Sequence, residues 1–246
     1  MKRVLEKCGI AVFWIFVWQL LSVLVRNDVL LTGPVETVSA LLRLCASTDF
    51  WGTVFFTLLR IAGGFLTGAS LGFALGTLSF FVPAAAHVLS PFVTAVKTVP
   101  VACYAIMLLI WFGKDNIAFF VCMLVVFPLL YVNTLQGFRT ADRELLEIAA
   151  VFTMTKGDYW RHIWLPSLSP FLYGAFQVAV GMSWKSGIAA EVIGLKLGTL
   201  GNELNRARTL LETDRLFALT LTVILLSWGM ERLVLFVMKR LLTEEA

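Results

Sequence analysis

Uncharged stretches alternate with short polar ones along most of this chain, at 8–25, 61–96, 98–113, 116–138, 162–184 and 216–230. A helix that crosses the hydrocarbon core of a bilayer needs about 20 mostly apolar residues. The second interval is too long for one such helix. It holds Pro83 followed by the weakly polar AAAHVLSP, which reads as the turn between two spans. The pattern predicts helices at approximately 8–25, 52–80, 90–112, 116–138, 167–194 and 214–240. Two polar segments interrupt it on one side: LLTGPVETVSALLRLCASTDF, patterned as a surface helix after Pro34, and GLKLGTLGNELNRARTLLETD. The ten-residue alternation of a membrane barrel is absent. The expected fold class is therefore an all-α polytopic membrane protein with about six transmembrane helices.

Composition agrees with the pattern. Of 246 residues, 59% are hydrophobic and 15% charged, where soluble domains carry roughly 25% charged residues. So large an apolar surplus needs lipid to cover it. The net charge of +4 is spread out, which excludes a nucleic-acid surface. Cys8, Cys45, Cys103 and Cys122 show neither CxxC nor Cys/His spacing, so neither a disulfide nor a metal site is expected. The basic start and apolar run of MKRVLEKCGIAVFWIFVWQLLSVLV lack a small-x-small cleavage site and read as a retained first helix.

Six spans put both termini on one side. Nine Lys and Arg lie at the termini and in the 139–161 segment: Lys2, Arg3, Lys7, Arg139, Arg143, Lys156, Arg161, Lys239 and Arg240. The opposite loops hold seven: Arg26, Arg43, Lys114, Lys196, Arg206, Arg208 and Arg215. The difference places the termini and that segment in the cytoplasm.

In the second predicted helix Gly64, Gly68, Gly72 and Gly76 recur every four residues, a smooth stripe for close helix packing. The partner is another helix of the chain or a second subunit. No Walker A, HExxH or GxSxG pattern occurs, so no catalytic residue is assigned. Charges inside the spans cost roughly 2.5–3.5 kcal/mol each on insertion scales. Those of Arg60, Lys97, Lys185 and Glu191 are the candidates. Arg60 lies where it can snorkel. Lys97 falls near the cytoplasmic end of the third helix. Lys185 and Glu191 share one helix about 120° and roughly 9 Å apart. Lys97, Lys185 and Glu191 line a translocation path or form structural ion pairs; the residues leave both open. Most aromatic residues, Trp160, Trp164 and Trp184 among them, read as interface-belt or lipid-facing material.

One polar insert remains, ELLEIAAVFTMTKGDYWRHIWLP at 144–166. Asp142 is placed to cap a helix there, with Ile148, Val151, Phe152 and Thr155 on a single apolar stripe. Asp158 is placed to cap a second short helix that Leu165-Pro166 ends. Such a segment lies on lipid headgroups or docks into a groove on a partner protein.

The insert resembles the cytoplasmic loop EAA-x3-G-x9-I-x-L-P of the membrane subunits of binding-protein-dependent ABC importers. Glu147, Ala149, Ile163, Leu165 and Pro166 match in register; Ile148 replaces the first Ala, and Thr153 stands where the Gly belongs. FFTLLRIAGGFLTGASLGFALG, VKTVPVACYAIMLLIWFG and WKSGIAAEVIG are similar to the transport domain of the same family. The nitrate/sulfonate/taurine-type permeases, a group that includes thiamine-precursor and riboflavin permeases, are the nearest in kind. The resemblance implies a type I-like transmembrane domain at 50–240, preceded at 1–49 by a first helix and an extracytoplasmic amphipathic segment. It implies a bacterial inner-membrane permease that imports a small solute delivered by an extracytoplasmic binding protein. Two ABC ATPases and a second permease subunit, in a homodimer, are the implied partners, with ATP and Mg on the ATPases and no cofactor in this chain. Glu147, Ile148, Ala149, Val151, Phe152, Thr153, Ile163, Leu165 and Pro166 become the coupling residues. The alternative is an ATP-independent channel or secondary carrier for a small anion, using Lys97, Lys185 and Glu191.

Overall fold

The apolar runs do become helices. The computed structural model of the chain describes residues 2–27 and 29–243, without the side chains of several residues near either end. Cys8 is one of these, so the thiol reading for it lies outside the described residues. The helices are α1 (Lys2–Val25), α2 (Pro34–Cys45), α3 (Thr48–Phe81), α4 (Pro83–Thr98), α5 (Val101–Arg139), α6 (Arg143–Val151), α7 (Lys156–Tyr159), α8 (Leu165–Gly194), α9 (Leu200–Leu210) and α10 (Thr213–Thr243). A π-helical turn, Trp160–Trp164, joins α7 to α8. Thr48–Phe81, Val101–Arg139, Lys156–Gly194 and Thr213–Arg240 are each long and apolar enough to cross a membrane, and Val12–Val25 is a shorter apolar helix.

α5 makes two traverses. Its 39 residues extend to ~58 Å if straight, against a hydrocarbon core of ~30 Å. At Gly113 the backbone leaves the helix with φ 69° and ψ 177°, a conformation glycine adopts without steric cost. The arms fold back on each other: Tyr104, Ala105 and Leu108 pack with Ile117, Ala118 and Val121, and Phe112 stacks on Phe120 at 3.9 Å.

The third span departs from the expectation of a turn at AAAHVLSP and a helix from residue 90. That segment is the start of α4. Pro83 suits the first helical position, where its missing N–H is not needed. The break falls instead at Val99 (φ −72°, ψ 128°), which Pro100 keeps out of the α region. α4 and the 101–112 arm together therefore make one broken span. Lys97, expected near one end of that span, lies in the middle of it, in the last turn of α4.

The chain forms two units, one running to Thr57 with Leu195–Leu225, the other Leu58–Gly194 with the remainder of α10. In the first, long-range polar contacts tie the segments between the long helices to one another and to α1 and α3. Leu200 N donates to Thr57 Oγ1 at 3.0 Å, Thr213 Oγ1 to Val29 O at 2.7 Å, and Arg43 pairs with Asp214 at 2.9 Å. Trp18 donates to Thr32 O at 2.9 Å.

In the second unit the glycine stripe of α3 lies against α5. A Cβ on Gly64 would strike Phe119 O; one on Gly68 would sit 2.6 Å from Met123 O, and one on Gly72 would sit 2.6 Å from Phe127 O. A Cβ on Gly76 would sit 2.9 Å from Thr134 Cβ. Backbone atoms cannot yield as a side chain would, so Gly72→Ala is expected to cost about 1–3 kcal/mol. Gly174, with open space where its Cβ would be, is the control. Melting temperatures in detergent should fall for Gly72→Ala and stay unchanged for Gly174→Ala.

Candidate functional site: the polar insert

The insert is built from two short helices and the start of a long one. Asp142 opens α6 by accepting a hydrogen bond from Glu144 N at 2.9 Å, satisfying one of the helix's free donors. Glu144 sits in the first turn, where a negative charge complements the helix dipole. Ala149 is the buried contact of α6, while Ile148, Val151 and Phe152 are 51%, 79% and 74% exposed. The apolar stripe does not run on to Thr155, because α6 stops at Val151. Glu147 is exposed too, one turn before Val151 at the edge of that stripe.

The stop depends on Thr153. Met154 N donates to Ala149 O at 3.1 Å and Thr153 N to Ala150 O at 3.2 Å, the paired bonds of a Schellman motif. That motif puts its C′ residue in the left-handed region, and Thr153 has φ +48°. The motif glycine thus has a physical reason, and threonine adopts the conformation against the steric cost of its branched Cβ. Thr153→Gly is expected to stabilise the insert by about 1 kcal/mol. Backbone amide exchange at residues 153 and 154 should slow by about fivefold.

Thr155, not Asp158, caps α7. Its Oγ1 accepts from Asp158 N at 3.3 Å, while its own N and Oγ1 donate to Asp158 Oδ2 at 3.1 and 2.7 Å. Asp158 closes this capping box from the third helical position. The hydrogen bond from the Thr155 side chain, then that from its backbone, holds the Asp158 carboxyl below its ordinary value. It stays ionised at neutral pH.

Leu165-Pro166 does not end a helix. Pro166 has no N–H for a bond to His162, and the backbone widens just before it: Leu165 N donates to Trp160 O, five residues back. This π turn passes the helix through the proline, so 156–194 is one continuous rod. Ile163 and Leu165 are buried and Pro166 is exposed. The nine motif residues therefore divide. Glu147, Ile148, Val151 and Phe152 face outward; Ala149, Ile163 and Leu165 face the protein; Thr153 and Pro166 shape the backbone.

Behind the insert stands an aromatic cluster. Phe80 stacks on Phe138 with ring centroids 4.9 Å apart, and Trp164 meets both edge-on at 5.3 and 5.4 Å. Phe81 and Trp160 complete it. Trp160 and Trp164 are thus packing residues and not belt material. Trp184 is another, 2% exposed, with Nε1 3.2 Å from Met230 Sδ. The available sequence signal was position: Phe80, Phe81 and Phe138 all end long helices on the side of the insert.

The intramembrane candidates are not brought together. Lys97 and Lys185 are exposed, whereas Glu191, on the same helix as Lys185, is 1% exposed. Among the described residues no group of three His, Cys, Asp or Glu is placed to hold a metal.

Residues 38–243 match the family of binding-protein-dependent transport system inner membrane components. The chain is 31% identical over 201 residues to the putative aliphatic sulfonates transport permease protein SsuC of Escherichia coli (strain K12), covering 80% of this chain and 76% of that one. With the protein of the same name from Bacillus subtilis (strain 168), identity is 29% over 207 residues, 83% of this chain and 74% of the other. The nitrate import permease protein NrtB of Synechococcus elongatus is 26% identical over 188 residues, 72% of this chain and 67% of its own.

Proposed function

Because this chain belongs to the family of binding-protein-dependent transport system inner membrane components, we propose that residues 144–166 are the surface through which a separate ATPase drives it. The chain is a transmembrane permease subunit of an ABC importer. Its task is to pass a small solute delivered by an extracytoplasmic binding protein.

One observation carries the coupling assignment: the exposed apolar face of α6, formed by Ile148, Val151 and Phe152. Fully burying such side chains stabilises a complex by roughly 1.5–3 kcal/mol each. A nine-residue helix is too short to be stable alone, so its face is presented on a scaffold, held by Ala149 beneath it. Lipid is the poorer partner. Helices that lie on headgroups carry Lys and Arg on their polar face, whereas α6 carries Glu144 and Glu147 against Arg143 alone.

In this reading both termini and the insert are cytoplasmic in a bacterial inner membrane. Two ATPases, which bind the ATP and Mg, each receive one α6 from a homodimer of this chain. Closure of the ATPases displaces α6, and the continuous 156–194 helix carries the displacement into the membrane. The test is purification of the chain from mild detergent. An ABC ATPase is expected to accompany it, with uptake lost on ATP depletion. Uptake that survives ATP depletion, with no ATPase bound, would sink the proposal and favour the carrier reading.

A further inference from the structure

Between α4 and the 114–139 arm of α5, wholly within the second unit, lies a cleft of about 580 Å³. Its lining includes three basic side chains, His87, Lys97 and Arg139, and no carboxylate. Among the described residues none of the three makes an ion pair. Such a one-signed lining raises the local concentration of anions, and low-dielectric walls focus its field.

The position of Lys97 sharpens the case. It lies fourteen residues above Pro83 along α4, ~21 Å from that helix start. Its depth is that of Pro128, Leu129 and Met182, with which it shares the wall of a second, mostly apolar cleft of about 230 Å³. An ammonium group at this depth costs roughly 2.5–3.5 kcal/mol unless water or an anion reaches it. Arg139, the last residue of α5, stands at the opposite end of the cleft.

Other polar groups in the lining have already committed their protons. Tyr131 donates to Ser79 Oγ at 2.9 Å, and Thr94 to Ser90 O at 2.8 Å. His87 Nδ1 lies 2.8 Å from Pro83 O, so the neutral ring donates there and offers only an acceptor at Nε2. The donors left for a ligand are the Lys97 ammonium, the Arg139 guanidinium, the Gln136 amide and the Ser90 hydroxyl. A guanidinium takes two oxygens of a sulfonate or phosphate at once, and an ammonium takes one as a point charge.

We propose that this cleft binds an oxyanion of the sulfonate or phosphate type, received by Arg139 at the mouth and by Lys97 at the deep end. It rests on the importer reading for its direction, which puts the Arg139 end toward the cytoplasm. The same chemistry fits a transported solute or the headgroup of an anionic lipid. Lys185 and Glu191 take no part in it.

The full chain, with whatever copurifies, is placed in nanodiscs and its melting temperature followed. One arm uses phosphatidylcholine discs titrated with ethanesulfonate and, separately, with inorganic phosphate. The other replaces a third of the lipid with phosphatidylglycerol, with no added solute. At least one arm should raise the melting temperature of the unmodified chain. Lys97→Gln and Arg139→Gln should weaken that response tenfold or more, Lys97→Arg should retain most of it, and Arg206→Gln, outside the cleft, should match the unmodified chain. A response to solute alone assigns the site to the transported anion, and a response to phosphatidylglycerol alone assigns it to a lipid. No shift in either arm, or equal shifts in Lys97→Gln, Arg139→Gln and the unmodified chain, overturns the proposal. Absence of a copurifying ATPase counts against the coupling reading and leaves this assay intact.

Discussion

Glu147→Arg is expected to leave the chain in the membrane with its melting temperature unchanged, and to reduce copurification of the ATPase tenfold or more. The first half follows from what Glu147 touches. It is exposed on α6, and the helix is held by Ala149, Asp142 and the Schellman bonds at Met154 and Thr153. None of these involves the Glu147 carboxylate, so nothing internal is lost. The second half follows from what surrounds it. Glu147 lies beside Ile148, Val151 and Phe152, the surface assigned to the partner. If the partner complements a carboxylate there, a reversed charge meets its own sign, and like-charge juxtaposition across an interface costs several kcal/mol. A factor of ten requires only about 1.4 kcal/mol. Both quantities can be read from one preparation. Retention of the ATPase at the unmodified level, together with normal uptake, would remove Glu147 from the coupling surface.

The insert was legible in the sequence through its offsets. Glu147, Ala149, Ile163, Leu165 and Pro166 fall in register whatever the backbone does between them. The conformation of Thr153 was not, because a left-handed residue is favoured only once two carbonyls of the preceding turn need donors. The glycine stripe was visible as a period of four, but a period names a face and not the helix that meets it. Proline was misread twice for one reason: its effect depends on where in a helix it falls. Pro83 starts α4, and Pro166 is accommodated by a π turn. His87 and Arg139 went unnoticed as partners of Lys97. They are fifty-two positions apart in the sequence, and only the antiparallel packing of α4 on α5 makes them neighbours.

Trp164→Ala should give the converse of the first result, an ATPase that still binds and hydrolyses ATP but no longer drives uptake. Trp164 belongs to the π turn at the head of α8. Its ring meets Phe80 from α3 and Phe138 from α5, while those two stack on each other. The cluster is the packing that fastens the base of α8 to the ends of two other long helices. Edge-on aromatic pairs contribute about 0.5–1.5 kcal/mol each beyond area burial, and truncating a packed Trp to Ala costs about 3–5 kcal/mol. Trp164 is only half-buried, which puts the expected loss near the lower figure, a fall in melting temperature of several degrees. The α6 surface is untouched, so copurification should persist. What is removed is the stiff joint, and a displacement of α6 then dissipates at the π turn before it reaches α3 and α5. Trp164→Phe, which keeps a ring against Phe138, should restore most of the uptake. If Trp164→Ala lost the bound ATPase as well, the cluster would be supporting α6 itself; if it kept full uptake, the displacement would be travelling by another route.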